Sequence, residues 1–347
     1  MQTKDDTLPI LALACWDEEQ FKRRVPSNIE GVLQLAFQEE TKHWRVLPLI
    51  HQNLIKAGLF SQLSPELQSK LKATTQKSVA NNLAMKSQLA SVLALFKANE
   101  VPCILLKGMA FSGWIYDDAY PRGSRDIDML VKEKDFEKAK SLLQEIMDSY
   151  TAPGAGPLIG LYEESFIPKG KSGMAIDLHK SITYPQVFNI DECQLWQRSL
   201  EHPNYCSEYV RVLSKEDSII HQAIHCYRDF DFNRYSLVDF HCLKESHDVI
   251  FESVEARAKA LGCSKVLSLF LASYSVLEGS VKGGINSQHS KGVDFKLVEW
   301  LMKTKRQTRN SFVSRVVQAI LLYLLPDNKR GVISLYNRFI SRSVKAY

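Results

Sequence analysis

The stretch from Cys103 to Val131 constrains this chain most, because it has the pattern of a buried strand, a turn, a helix, a loop and a second strand. The second strand carries Asp126 and Asp128, one residue apart. Side chains alternate between the two faces of a sheet, so both aspartates are expected on one face and Ile127 on the other. Two neighbouring carboxylates repel each other unless a positive charge lies between them, and Mg²⁺ favours carboxylates together with phosphate oxygens. The pattern therefore predicts a site for a divalent metal and a nucleoside triphosphate.

A third carboxylate is expected from a later strand. Sites for phosphoryl or nucleotidyl transfer often use one, either as a further metal ligand or as the base that activates the attacking hydroxyl. Asp177 is the candidate, because it lies in an apolar strand predicted over 174–179. The alternative interpretation is a charge at a strand end. His179 shares its face and is expected to stack or hydrogen-bond rather than to bind metal.

Residues near the first turn and the loop are candidates for binding the phosphates. They are Lys107, Gly108, Ser112, Arg122 and Arg125. Glycine lets a phosphate approach the backbone closely, amides at a helix start attract anions, and arginine binds phosphate oxygens through two donors. Two alternatives stay open, because Lys107 could pair with an aspartate and Arg125 could neutralise the carboxylates. The sequence contains neither a P-loop nor a GxGxxG motif.

Helical patterns flank this region on both sides. The clearest predicted helix runs over 64–98, with Pro65 at its first turn, and another is expected at 109–116. Between the flanks, the order strand, helix, strand, helix, strand, strand predicts a small mixed sheet. The fold class is therefore α+β. Three parts are expected, namely a helical block over 1–98, a core over 99–190 and a helical block with a basic end over 191–347.

Histidines and aspartates also recur at helical spacing after the core. Asp217, His221 and His225 are four residues apart, and Asp239 and His241 follow. Two histidines at this spacing can bind zinc. The helix is rich in isoleucine and alanine and lacks an HExxH pattern, so packed and hydrogen-bonded histidines are the preferred interpretation.

Composition indicates a cytoplasmic protein. The seven cysteines are scattered without a CxxC pair, which is typical of reduced thiols. The apolar run at 8–15 follows acidic residues rather than a basic segment, so it is interpreted as a first helix and not a signal peptide. No apolar run reaches the roughly 18 residues that a membrane span requires.

The end of the chain is strongly basic. Residues 301–347 contain ten Lys or Arg residues and one acid, whereas the whole chain has a net charge of only +5. This segment suits an anionic partner, such as a nucleotide, RNA, or an acidic protein or lipid surface. A solvated helix face is the alternative interpretation.

Three motifs in order resemble a known family. They are Leu105-Leu106-Lys107-Gly108, Arg125-Asp126-Ile127-Asp128-Met129-Leu130 and Ile176-Asp177-Leu178-His179. Over about residues 45–250, the chain resembles an uncharacterised bacterial nucleotidyltransferase-like family within the DNA polymerase beta-type superfamily. The resemblance implies a mixed-sheet core, Mg²⁺ (or Mn²⁺) bound by Asp126 and Asp128 with Asp177 as third carboxylate, and a nucleoside triphosphate (NTP) as donor. One departure is Met109, where the wider superfamily usually has a small residue.

Three functions are compatible with these patterns. The first is a nucleotidyltransferase that transfers a nucleoside monophosphate to a protein, an RNA or a small molecule. The second is a nucleotide-binding regulatory module with little or no turnover, which Met109 motivates. The third is a nucleic-acid-binding protein that uses the basic segment at 301–347, where aromatic residues alternate with the charges.

Overall fold

The described part of the chain combines one mixed sheet with helices before and after it. The computed structural model describes residues 7–24, 27–37, 45–116, 122–151, 162–170, 173–184, 187–205, 207–229, 235–246, 248–282 and 323–334, together with 298 and 320. The predicted α+β class, with helical blocks at both ends, is confirmed. The division of the chain at residues 98 and 190 stays a prediction.

Helices make up most of the described residues in both flanking blocks. Before the sheet lie α1 (Thr7–Cys15), α2 (Glu18–Arg24), α3 (Ile29–Ala36), α4 (Leu47–Lys56) and α5 (Pro65–Ala98). Within the core lie α6 (Lys107–Phe111) and α7 (Phe136–Ile146), and after it come α8 (Glu192–Arg198), α9 (Lys215–Asp229), α10 (Ser236–Ser246), α11 (Phe251–Ala260) and α12 (Ser264–Lys282). Among the described helices, none combines the length and the apolar character that crossing a membrane requires.

The sheet places the two aspartate-bearing strands side by side at its centre. Its described strands are β1 (Cys103–Leu106), β2 (Asp126–Leu130), β3 (Met147–Tyr150), β4 (Glu163–Pro168), β5 (Ala175–His179), β6 (Leu200–Glu201) and β7 (Val210–Val212). Their spatial order is β3-β4-β5-β2-β1-β7-β6. The central strand β2 runs parallel to β5 and antiparallel to β1. Acidic residues from two strands therefore meet in the middle of the sheet rather than at its edge.

The two faces of the sheet have different roles. One face carries Ile127, Met129, Ile176, Leu178 and Phe166, and all five are buried in the main hydrophobic core. The opposite face carries the polar residues of β2, β4 and β5, beside a smaller apolar cluster that includes Ile104 and Leu106. Because strand side chains alternate, one amphipathic pattern builds the core and a polar surface at once.

Several predicted boundaries are wrong. Helix α6 covers Lys107–Phe111 rather than 109–116, because Ser112 is extended and Gly113 has a φ of +72°, which reverses the chain. Three short strands, β3, β6 and β7, were missed because each has at most four residues and too little alternation to stand out. Helix α12 continues to Lys282, into the segment 279–292 that the sequence suggests as a linker. Most of the basic segment 301–347 lies outside the described residues.

A buried ion pair joins the loop before β2 to helix α10. Arg122 Nε lies 2.7 Å from Asp239 Oδ1, and the Tyr116 hydroxyl donates a hydrogen bond of 2.6 Å to the same oxygen. Both charged side chains are almost fully buried. Burial raises the pKa of Asp239, although Arg122 and Tyr116 favour its charged form. The pair therefore fixes the position of the loop from which β2 begins.

Removing the carboxylate of this pair should destabilise the fold strongly. Asp239→Ala leaves the buried Arg122 without its ionic partner, and losing one member of such a pair typically costs about 3–5 kcal/mol. Urea unfolding measures the change in the free energy of unfolding. Asp248→Ala, at an exposed position, is the matched control and should change it by less than about 0.5 kcal/mol. Similar effects of the two substitutions would contradict a stabilising role for the pair.

Candidate active site

Three carboxylates lie together on the polar face of the sheet. In the register of β2 and β5, Asp128 is directly opposite Asp177, and Asp126 shares their face one pleat away. Asp128 is 3% exposed, whereas Asp126 and Asp177 are only partly buried. The Ser165 hydroxyl, on the next strand, donates a hydrogen bond of 2.6 Å to Asp177 Oδ1. The cluster thus has one buried member and two more exposed members.

The innermost carboxylate is held by two cationic or polar side chains. Lys107 Nζ donates to Asp128 Oδ1 at 2.7 Å, and His179 Nε2 lies 3.1 Å from the same oxygen. The other ring nitrogen of His179, Nδ1, lies 3.2 Å from Glu163 Oε2 on β4. The line Lys107–Asp128–His179–Glu163 therefore crosses four elements, namely the β1–α6 turn, β2, β5 and β4.

Electrostatics separates the three carboxylates. Burial, together with the nearby Asp128, raises the pKa of Asp126, and the same two causes raise the pKa of Asp177 to about 6. Burial would also raise the pKa of Asp128, but Lys107 and His179 outweigh it and hold that pKa well below its ordinary value. Burial opposes the charge of Lys107 as well, yet Asp128 raises the net pKa of the ammonium. Asp128 and Lys107 thus form the stable ion pair of the site.

The turn that presents Lys107 is tightly packed. Lys107 has a φ of +51°, in the left-handed region that costs a non-glycine residue about 1–3 kcal/mol. The next residue, Gly108, has no room for a side chain, because a Cβ there would collide with the hydroxyl of Ser124. Arg122 Nη1 in turn donates a hydrogen bond of 3.1 Å to that hydroxyl. Close approach of the 122–124 segment is therefore one structural reason for glycine at position 108.

The other predicted phosphate ligands are distributed around this turn. Ser112 and Arg122 line one narrow pocket together with Gly108. The space in which the centre of a water molecule fits is about 10 Å³, so the pocket holds roughly one water. Arg122 has Asp239 as its ionic partner rather than one of the three site aspartates. Arg125 is exposed at the start of β2, next to Asp126. Lys107, Arg45 and Arg122 are the cations whose charge most favours the ionised form of Asp126.

Sequence reasoning missed several side chains near the site. Glu163 contacts His179, and His221 on α9 lies close enough to Lys107, His179 and Asp128 to interact with them electrostatically. Burial and the positive charge of Lys107 lower the pKa of His221 well below its ordinary value, so it stays neutral. The packed-histidine interpretation also describes His241, which hydrogen-bonds at both ring nitrogens. Helical spacing was a signal for His221, but it did not show which face of the sheet α9 covers.

The chemistry of the cluster suits a hard divalent cation. Its donors are carboxylate oxygens, the ligands that Mg²⁺ and Mn²⁺ prefer. The Lys107 ammonium stands in for such a cation, since it places positive charge beside the innermost carboxylate. As arranged, no three or more His, Cys, Asp or Glu side chains of the described residues form a ready-made metal site. The residues therefore fit a metal by their chemistry, after rearrangement around Lys107.

Comparison with known proteins identifies one family. Residues 30–277 match the model of a family described as uncharacterised nucleotidyltransferase. The match includes all the elements from α4 to α11 and hence every residue of the carboxylate cluster. A search of curated proteins gave no match.

The raised pKa of Asp177 predicts a pH-dependent stability in EDTA. The folded-state pKa of Asp177 is about 6 and exceeds the unfolded value of about 3.9. Asp177 therefore stabilises the folded state below pH 4, and this stabilisation is lost as the pH rises through 6. Urea unfolding should show the stability of the wild type falling relative to Asp177→Asn by up to about 3 kcal/mol between pH 4 and 7. The control Asp148→Asn, exposed on β3, should keep the wild-type profile. If the free energies of unfolding of the wild type and Asp177→Asn change in parallel with pH, burial and the nearby Asp128 do not raise the pKa of Asp177.

The collision at Gly108 predicts a non-additive pair of substitutions. Gly108→Ala should lower the free energy of unfolding by about 1–3 kcal/mol, because the new Cβ meets Ser124 Oγ. Ser124→Ala removes that oxygen, so Gly108→Ala should cost less in the Ser124→Ala background. A double-mutant cycle by urea unfolding measures the difference. Equal costs in the two backgrounds would show that Ser124 is not what requires glycine here.

Proposed function

Because the chain belongs to this family of uncharacterised nucleotidyltransferases, we propose that it is an Mg²⁺-dependent enzyme that transfers a nucleoside monophosphate from an NTP to an acceptor hydroxyl or amine. The pairing of Asp128 with Asp177 across β2 and β5, with Asp126 on the same face, carries the proposal. The acceptor is a protein, an RNA or a small molecule.

Asp126, Asp128 and Asp177 would hold the metal, with Mn²⁺ as a substitute for Mg²⁺. Bound there, the metal would neutralise charge that develops on the α-phosphate and the leaving pyrophosphate. Two features support this assignment. All donors are oxygens, and the Lys107 ammonium already compensates the charge of Asp128.

The side chains of the protein supply binding, orientation and a proton acceptor. Lys107, the Gly108 amide and Arg125 would bind phosphate oxygens, with Ser112 and Arg122 forming the wall behind Gly108. The acceptor oxygen attacks the α-phosphorus, and the bond from that phosphorus to the bridging oxygen of the β-phosphate breaks as pyrophosphate leaves. Asp177 would either complete the metal site or take the proton of an acceptor hydroxyl as a general base. Alignment and charge compensation supply the rest of the rate enhancement.

The reaction is proposed to occur in the cytoplasm. The six described cysteines, Cys15, Cys103, Cys193, Cys226, Cys242 and Cys263, are free thiols, which supports a reducing compartment. The basic segment 301–347 remains a proposed contact for an anionic partner, such as a nucleic acid or an acidic surface.

A labelling screen tests the proposed activity. Each of the four NTPs, labelled at the α-phosphate, is incubated with the protein, a cell lysate and Mg²⁺ or Mn²⁺. The wild type should transfer label and release pyrophosphate, whereas Asp126→Asn with Asp128→Asn should lower transfer by about a hundredfold or more, because charge compensation at the α-phosphate is lost. The exposed substitutions Asp148→Asn and Asp248→Asn together serve as the matched control.

The same screen separates the proposed enzyme from its alternatives. Wild-type transfer by the Asp126→Asn, Asp128→Asn protein would contradict the proposal. Calorimetry that finds nucleotide binding that depends on Mg²⁺, without pyrophosphate release for any acceptor fraction, would instead identify a regulatory nucleotide-binding module.

A further inference from the structure

We propose that Lys107 is an exchangeable counter-cation, which keeps divalent metal out of the carboxylate cluster until a nucleoside triphosphate draws the lysine away. The inference rests on the proposed function, since it describes how metal and nucleotide enter that site. It assigns Lys107 two successive partners, first Asp128 and then a phosphate.

Lys107 and a metal ion would compete for the same carboxylate, Asp128. Asp128 Oδ1 already accepts from Lys107 Nζ at 2.7 Å and lies 3.1 Å from His179 Nε2. The Asp128 side chain is only 4% exposed, so water screens charges there poorly. A dication bound to Asp128 would therefore meet the ammonium at short range and with little screening. The two cations exclude each other unless the lysine moves.

The side chain of Lys107 is able to move its ammonium away from Asp128. The Lys107 side chain is 21% exposed, against 4% for Asp128, so Lys107 is the more accessible member of the ion pair. A lysine side chain is a flexible four-carbon stem that ends in a compact charge, and it changes partners without a matching geometry. The left-handed backbone of Lys107 and the tight packing at Gly108 fix the base of that stem. The backbone can therefore stay in place while the ammonium swings towards the opening.

A bound triphosphate would give the Lys107 ammonium a new anionic partner. While Lys107 pairs with Asp128, the described acidic side chains are not arranged as a metal site. An incoming NTP adds several negative charges, so Lys107 gains a phosphate partner and the carboxylates gain the metal that accompanies the nucleotide. Each anionic group then has its own cation. Metal binding without nucleotide offers no such compensation for the displaced lysine.

If Lys107 competes with the metal, removing its positive charge should strengthen metal binding. A lysine that only bound phosphate would leave nucleotide-free metal affinity unchanged. A lysine that only held the cluster together would lower that affinity when removed. A cation that competes with the metal, or repels it at short range, raises that affinity when it is removed.

Nucleotide-free Mn²⁺ binding to the full chain, measured by electron paramagnetic resonance and calorimetry, tests the inference. Lys107→Met removes the charge at similar length, and Lys107→Gln also keeps a donor towards Asp128. Both variants should bind Mn²⁺ at least about tenfold more tightly than the wild type, and adding Asp126→Asn should abolish the gain. Lys140→Met is the matched control, because it breaks the surface pair with Glu164 and should leave Mn²⁺ affinity unchanged.

The outcomes separate this inference from the function on which it rests. If the wild type binds Mn²⁺ as tightly as both variants, or more tightly, Lys107 is not a competing cation, while the metal site stands. If no protein binds Mn²⁺, both the inference and the proposed metal site fall. If neither Lys107 variant folds, the pair with Asp128 is a structural requirement that cannot be exchanged, and the inference falls alone.

Discussion

Repulsion between carboxylates on one face of a sheet is the constraint on which this structure depends. Asp126, Asp128 and Asp177 lie on adjacent parallel strands, and the register places two of them directly opposite each other. Such a cluster persists in a folded protein only with nearby positive charge or bound protons. In this structure Lys107 pairs with Asp128, and burial together with the nearby Asp128 raises the pKa of Asp177 to about 6. The strained turn at Lys107 is a cost of placing that charge at the end of β1.

The cost is offset by the other face of the same strands. Ile127, Met129, Ile176 and Leu178 alternate with the polar residues and are at most 1% exposed. Their burial in the main core stabilises β2 and β5 against the repulsion that the aspartates introduce. The apolar residues that stabilise the strands and the polar residues of the site thus alternate along the chain and lie on opposite faces of the sheet.

The sequence was sufficient for the parts of the site that depend on local pattern. Alternation predicted that Asp126 and Asp128 share a face, and the apolar strand around Asp177 marked a neighbour for β2. The missed features depend on pairing between distant segments. Tyr116 and Asp239 are 123 residues apart, and no local pattern links Arg122 to either of them. Strands β6 and β7 were missed because strands of two and three residues leave no periodic signal. The contact of Glu163 with His179 follows from the register of β4 on β5, which no local sequence pattern specifies.

The buried pair between Arg122 and Asp239 also sets an order for the maturation of the site during synthesis. A ribosome completes β1 and β2 long before it adds β7, which pairs with β1, or Asp239, which neutralises Arg122. Until then, the nascent loop carries a cation that cannot be buried at an acceptable cost, and one edge of β1 has no partner strand. We therefore expect the aspartate strand to reach its final position only after helix α10 has left the ribosome. Although the three carboxylates are encoded in the middle third of the chain, the partner of Arg122 comes from its last third.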